Sequence, residues 1–256
     1  MPEDHRSSTT HRVAQVLLAF TGQQRWLGVT ELARRLGLGK AVVHRILQAL
    51  VETGLVRYDE NRRLYALGPT AVALGRGADA GNELLTAARP VIAHLSHATG
   101  ETTTVTQRTG HTRTYVGQVE SAQHIRIAIT LGEHQPLTNG ASGLSILAFL
   151  PEEDVDLVLQ VPLPQFTPRT VTDPDAIRER LAEIRERGWA YTASERVPHS
   201  SSVAAPIHDV TGAAVGSLSV AYLDSRFDER EVPRLADLVV EAAESATQRL
   251  VAAQRG

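Results

Sequence analysis

The chain has no cysteine in its 256 residues, which removes disulfides, zinc-thiolate sites, iron–sulfur clusters and cysteine nucleophiles together. It has no apolar run near the roughly 20 residues a membrane-crossing helix needs, and no apolar signal-peptide core at its N-terminus. The expectation is a cytoplasmic protein without a membrane partner. No His-Glu-x-x-His pair, phosphate-binding P-loop or dinucleotide fingerprint occurs. The histidines are scattered without ligand spacing, so no metal and no other cofactor is expected. Gly140-Ala141-Ser142-Gly143 lacks the spacing of a Gly-x-Ser-x-Gly nucleophile elbow, and no catalytic residue is assigned. Internal repeats and low-complexity tracts are missing as well.

What remains is an ordinary globular composition, 42% hydrophobic, long enough for one large domain or two modest ones. The net charge of −3 hides an asymmetry. Residues 1–68 carry a balance of +4 and the rest −7. A basic head on an acidic body suits a polyanion-binding module joined to a separate domain. Lys40 is the single lysine among arginines.

The first ten residues, with Ser7, Ser8, Thr9 and Thr10, are polar and are expected to form a mobile arm. Val13, Val16, Leu17 and Phe20 then follow helical spacing, ending at Gly22-Gln23-Gln24. Thr30 is the expected N-cap of a short helix carrying Leu32, Ala33 and Leu36, which stops at Gly37. After the Leu38-Gly39 turn, Val43, Ile46, Leu47 and Leu50 form the apolar stripe of a further helix, with Gly54 past its end. Extended runs at 55–58 and 64–67 flank a polar loop, Asp59 to Arg63, and read as a hairpin. Three helices and a hairpin in under 70 residues give the element order of a winged helix-turn-helix.

Gly68-Pro69 marks a boundary. A helical connector follows, loosened by Gly75, Gly77 and Gly81, and then a stripe of Leu84, Ala88, Val91 and Leu95 in which Pro90 either kinks the helix or opens its second part. Thr/Val/Ile/Tyr-rich runs at 102–107, 112–120 and 124–130 predict an antiparallel meander. Helices are expected at 142–150, 152–160 and from the Asp173-Pro174 start, strands at 189–192, 202–207 and 214–222. Asp228 with Glu231 reads as a capping box, and Phe227 with Val232 as a hydrophobic staple, opening a final helix through Leu235, Val239, Ala242 and Ala246. The fold class is α+β. The expected domains are 1–68, a winged helix-turn-helix; 69–85, a helical linker; and 86–256, an effector-binding domain with a central antiparallel or mixed sheet flanked by helices.

The stripe after Gly39 fixes what points outward. Ala41, His44, Arg45 and Gln48 share the opposite face. In a helix-turn-helix this second helix enters the major groove, where Arg45 can pair with guanine and Gln48 with adenine. Lys40 suits a phosphate, and Arg62 and Arg63 at the wing tip suit the minor groove or backbone. Arg34 and Arg35 are expected to face solvent, with a contact to the DNA backbone as the alternative.

Residues 30–47, TELARRLGLGKAVVHRIL, closely resemble the helix-turn-helix signature of IclR-family bacterial transcription regulators. The resemblance continues through Tyr65-Ala66-Leu67-Gly68, Ala88-Arg89-Pro90, Thr99-Gly100-Glu101-Thr102, Gln135-Pro136-Leu137, Thr167-Pro168-Arg169-Thr170, Ile184 to Ala190 and Val203-Ala204-Ala205-Pro206, in collinear order over residues 11–252. One departure falls on the reading helix. Ala41-Val42 replaces the usual hydroxyl pair, leaving room for thymine methyls.

The resemblance implies a GAF-like C-terminal domain that binds a small molecule, an organic acid or related metabolite, and that controls operator binding. It places the pocket at Ala141, Ser142, Gly143, Thr192, Glu195, Ser202, Ser219 and Ala221. Spacing alone puts Ser219 and Ala221 on one strand face, and Ser142 and Gly143 at a helix start whose N–H groups attract a carboxylate. The run His199-Ser200-Ser201-Ser202 reads either as a hydroxyl-rich entrance bearing one imidazole or as a solvated loop. The expected partners are double-stranded operator DNA, the small-molecule effector and further copies of the chain in a homodimer or homotetramer. Two other readings stay open at this point: a small-molecule-processing enzyme with an appended helix-turn-helix, and a protein-interaction module using the winged helix as its docking face.

Overall fold

The structure is a computed structural model that describes residues 8–22 and 24–256. Most of the expected N-terminal arm lies outside the described residues. The chain divides into two compact units, Met1–Gly81 and Asn82–Gly256.

In the first unit, α1 (Thr9–Leu18) begins at Ser8, whose hydroxyl caps the His11 N–H, and runs into a single 3-10 turn. Helix α2 (Val29–Leu36) is capped by Gly28, so Thr30 lies inside the helix and is not its cap. The chain is still extended at Gly28 (φ −94°, ψ 160°), next to Leu27, which is held by a two-way backbone bridge to Tyr65. Gly37 closes α2 in the left-handed conformation at φ 64°, which glycine adopts without the Cβ clash other residues suffer. Helix α3 (Lys40–Glu52) follows after two residues. Strands β1 (Val56–Asp59) and β2 (Leu64–Leu67) pair antiparallel as the wing. Val16, Phe20, Leu32, Val43, Leu47 and Tyr65 converge in one core, which uses the buried stripes of α1, α2 and α3. Helix α4 (Pro69–Ala80) follows the wing, ties back to the end of α3 where Thr70 Oγ1 donates to the Thr53 carbonyl, and has no buried residue.

The second unit is a three-layer sandwich around six antiparallel strands in the order β5-β4-β3-β8-β7-β6. The strands are β3 (Thr102–Thr109), β4 (Thr112–Val119), β5 (His134–Pro136), β6 (Ala190–Ala193), β7 (Ser200–His208) and β8 (Ala214–Leu223). The expected strand at 124–130 does not form, and β5 pairs with β4 instead. Residues 124–130 are irregular because their groups tie to other elements: the Ile127 carbonyl accepts from Thr102 Oγ1, and the Ile125 carbonyl from Arg226.

Alternation along the strands sorts two faces. Val105, Val203, Ala205, Leu218 and Val220 pack under α5 (Glu83–Thr99) and α9 (Val232–Arg255), joining Val91, Leu95, Leu235 and Val239. Full burial of such aliphatic side chains stabilises by about 1.5–3 kcal/mol each. Pro90 lies inside a continuous α5. The other face carries small and polar side chains beneath α6 (Gly140–Leu147), α7 (Glu152–Leu159) and α8 (Pro174–Arg187), whose own core includes Leu144, Leu147, Val155, Ile177 and Leu181. Asp173 caps α8 as its spacing predicts. The Asp228 N–H donates to the Glu231 carboxylate, but this box closes a 3-10 turn, and α9 begins one residue after Glu231.

Candidate DNA interface and ligand cavity

On α3 the burial of Val43, Ile46, Leu47 and Leu50 turns Lys40, Ala41, His44, Arg45 and Gln48 outward, all exposed. Among the described residues, Lys40, His44, Arg45 and Gln48 make no side-chain hydrogen bond or ion pair within the protein. Their donors are free for an external partner. The N-terminus of this 13-residue helix, capped only by the Gly39 backbone, adds partial positive charge beside Lys40. Arg34 and Arg35 are engaged differently, both pairing with Glu31. Those two guanidinium groups hold the Glu31 carboxyl down at about 2.

At the wing, the Arg62 N–H donates to Asp59, and its guanidinium lies 5.6 Å from the centre of the Trp26 ring. Arg57 lies 4.9 Å from the same ring. Arg63, exposed at φ 53°, makes the left-handed turn of the hairpin. Sequence reading missed Trp26 and Arg57. The available signal was that Arg57 and Asp59 fall on one face of β1.

The second unit holds a cavity between the polar sheet face, the start of α6 and the irregular 121–133 segment. Its lining includes Thr104, Arg113, Tyr115, Ile127, Ile129, Ser142, Thr192, Arg196, Ser202, Ser219 and Ala221, and its volume is about 40 Å³. The hydroxyls are cross-linked: Thr104 with Ser219 at 2.7 Å, Thr192 with Ser202 at 3.1 Å, and the Ala141 N–H donating to Thr192 Oγ1 at 3.1 Å. Burying hydroxyls without such partners would cost about 1–3 kcal/mol each.

Of the eight pocket residues expected from the sequence, the structure gathers Ser142, Thr192, Ser202, Ser219 and Ala221 around this cavity. The other three do not line it. Ala141 is buried in the α6–α8 core, and Gly143 is pressed between the Leu137 carbonyl and Arg113, where a Cβ would sit 2.4 Å from that carbonyl oxygen. Glu195 points away, with its carboxylate accepting from both terminal nitrogens of Arg180 at 3.1 and 2.8 Å. His199 is also displaced from the expected entrance. It is exposed and lines a separate depression with Thr167, Ser194 and Asp224.

Two cavity residues carry no sequence signal: Arg113 and Tyr115, adjacent inward positions of β4. Arg113 is fully buried. Its Nη2 donates to the Asn139 carbonyl at 2.8 Å, while Nε and Nη1 have no partner. It lies 4.9 Å from the centre of the Tyr115 ring, and Arg196 bonds the Tyr115 hydroxyl at 3.2 Å and Glu133 at 3.1 Å. Burial pushes the Tyr115 phenol up, but the Arg113 and Arg196 charges outweigh it and hold the group below its usual range. Among the described residues no histidine or carboxylate lines the cavity beside Ser142 and Ser202.

Comparison with known proteins agrees with both units. Residues 8–60 match the family model described as the IclR helix-turn-helix domain, and residues 80–248 match that of the bacterial transcriptional regulator IclR C-terminal region. The chain is 33% identical over 218 residues to the HTH-type transcriptional regulator BhcR of Paracoccus denitrificans, covering 85% of this chain and 78% of that one. An IclR transcriptional regulator from Alicyclobacillus acidocaldarius superimposes with a TM-score of 0.82 at 28% identity, over 94% of this chain and 98% of that one. An IclR homologue from Microbacterium hydrocarbonoxydans, solved with 4-hydroxybenzoate, shares the fold at a TM-score of 0.81 and 24% identity, over 96% of this chain and the whole of that one.

Proposed function

Since this chain belongs to the IclR family of bacterial transcriptional regulators, we propose that it reads operator DNA with Lys40, Ala41, His44, Arg45 and Gln48 of α3, assisted by Arg62 and Arg63 of the wing. The protein is a DNA-binding transcriptional regulator with a ligand-binding C-terminal domain. One observation carries the residue assignment: α3 buries its aliphatic stripe and leaves a guanidinium, an imidazole, an amide and an ammonium without a hydrogen-bond or ion-pair partner among the described residues. The working division is residues 1–68 for DNA, 69–85 as linker and 86–256 as a GAF-like effector domain.

The effector is an organic acid. The polar lining of the cavity and its basic side chains support this class, and a family relative was solved with an aromatic acid of its own. The chain acts as a homodimer, so two copies of α3 meet half-sites of a palindrome. Occupancy of the cavity shifts the balance between arrangements of the two DNA-binding heads.

The test is operator binding measured by anisotropy, on a site selected from random DNA. Arg45→Ala is expected to lose about 1–3 kcal/mol, roughly tenfold or more in Kd, and to relax selectivity at the base it contacts. Unchanged affinity and selectivity would remove α3 as the reading element. An effector that altered neither affinity nor the footprint on the operator would remove the sensing half.

A further inference from the structure

We propose that the turn joining β8 to α9, residues 224–226, is a latch that holds both movable walls of the cavity, so that displacing this one turn opens it. This rests on the reading of the cavity as the effector site and deepens it to how access is controlled. The cavity measures about 40 Å³, room for roughly three waters at about 10–15 Å³ each. A larger occupant enters only if part of the wall parts first. The floor is paired sheet, with Thr104, Ser202 and Ser219 in continuous ladders, so the parting falls to the two walls outside the ladders.

One wall is the irregular segment that carries Ile127 and Ile129 over the cavity. Among the described residues, two hydrogen bonds tie residues 122–129 to the body of the unit. Thr102 Oγ1 donates to the Ile127 carbonyl at 3.0 Å, and Arg226 donates to the Ile125 carbonyl. The other hydrogen bonds of this stretch run back to its neighbours Glu120 and Ser121. The Ile125 side chain is 72% exposed, so little apolar burial holds that end down. Arg226 is fixed from behind by Glu101, whose two carboxylate oxygens accept from its Nη1 at 2.8 and 2.7 Å. Glu101 is buried, and freeing Arg226 would strand its charge, which favours the closed position.

The other wall is the β6–β7 connection, residues 194–199, which brings Arg196 and Val197 to the cavity. Ser194 and His199 at its two ends take φ of 57° and 60°, a left-handed backbone unfavourable for residues with a Cβ. Thr167 and Thr170 anchor the first end through the Ser194 and Glu195 carbonyls. Asp224 closes the loop. Its carboxylate accepts from Ser194 Oγ at 2.9 Å and Ser201 Oγ at 2.6 Å, and its N–H donates to the His199 carbonyl at 3.0 Å. The two walls also meet directly, Arg196 donating to Glu133 at 3.1 Å.

Asp224 and Arg226 are two residues apart, so a shift of the turn carries both holding groups with it. The Arg226 N–H donates to the Leu223 carbonyl at 2.9 Å, and Phe227 seats the turn with its ring centre 4.8 Å from that of Tyr222. Glu101 follows the Gly100 that ends α5, and α9 begins at Val232 just beyond the turn. Movement of the start of α9 against the end of α5 therefore loads the latch.

The experiment follows each wall separately, on the full chain without ligand. The chain has no cysteine, so Ile129→Cys, at a position 8% exposed, supplies a sole thiol whose iodoacetamide labelling reports the first wall. Amide hydrogen exchange of the fragment spanning 194–200 reports the second. In that background Arg226→Gln is expected to label about fivefold faster or more, with exchange at 194–200 changed by less than about twofold. Asp224→Asn should do the reverse, with exchange about tenfold faster or more. Phe227→Ala unseats the turn but keeps both holding side chains, and should loosen both walls together. Arg230→Gln alters an exposed pair with Asp228 beside the turn and should change neither. Exchange in α5 and β7 shows whether a variant is folded. If Arg226→Gln is not, Arg226→Lys takes its place with the same expectation, since it keeps a charge for Glu101 and lacks the second nitrogen that reaches Ile125. Folded latch variants whose walls stay as protected as in the parent, or a Phe227→Ala protein that opens one wall without the other, overturn the proposal. Operator binding is measured on the same samples. Its absence from the parent, with both walls responding as expected, removes the regulator reading and leaves the latch. Intact operator binding with unresponsive walls removes the latch alone.

Discussion

At the scale of single residues, the side chains that matter are those whose polar atoms are left over. Lys40, His44, Arg45 and Gln48 have free groups because helical spacing turns them outward. Arg113 has free groups although it is buried. Trp26 plays a supporting part, since its ring lies within 5.6 Å of both Arg57 and Arg62 and restrains wing cations that would otherwise sample many rotamers. Exposed cation–π contacts contribute about 0.5–1 kcal/mol. Trp26→Ala is therefore expected to weaken operator binding by a few-fold without changing base preference, read from anisotropy titrations on matched and mismatched sites. His208 gives a pH signature. It is half-buried, edge-on to Phe149, and burial lowers its pKa from 6.5. Above 6.5 the imidazole is neutral in both folded and unfolded chains and imposes no penalty. As pH falls below that, the unfolded chain takes up the proton first and stability declines toward the lowered folded value. Unfolding midpoints between pH 7.5 and 5 should fall less steeply in His208→Gln than in the wild type.

At the scale of elements, close approach decides where α6 can lie. Its fourth residue, Gly143, meets the Leu137 carbonyl and the Arg113 guanidinium, and a methyl there would overlap backbone. Gly143→Ala should cost about 1–3 kcal/mol through overpacking, seen as a lowered urea midpoint, and should weaken ligand response because the helix start is pushed off the cavity. Placement of this element was only partly legible. The helix itself was visible near Ser142, but its neighbour was not, because Arg113 reaches it through the strand pairing that brings β5 beside β4. The 124–130 segment misled for a related reason. Its Ile and Thr content suits a strand, yet its carbonyls bond Thr102 and Arg226 and its isoleucines close a cavity, a tertiary demand that overrides local preference.

At the scale of the whole molecule, each unit has its own hydrophobic core, one built on Leu47 and the other on a six-stranded sheet. Unfolding should therefore depart from a single two-state transition. Leu47→Ala, which empties a fully buried site, should cost the first unit about 2–5 kcal/mol and abolish operator binding, while the transition of the second unit stays in place. Operator affinity should fall steeply with salt as neutralised phosphates release counterions, with a smaller slope for Lys40→Ala.

The sequence by itself determined the helix after Gly39 and its outward face, because helical and strand periodicities are local, and the basic head is a matter of composition. The family resemblance pointed to Ser142, Thr192, Ser202, Ser219 and Ala221, which the fold brings to one cavity. Only the tertiary structure decided that Glu195 is spent on Arg180, that His199 faces another depression, and that Arg113 is sealed beneath α6 without a counter-charge. Whether a polar side chain is satisfied depends on which distant strand or helix arrives beside it. Spacing along the chain carries no record of that.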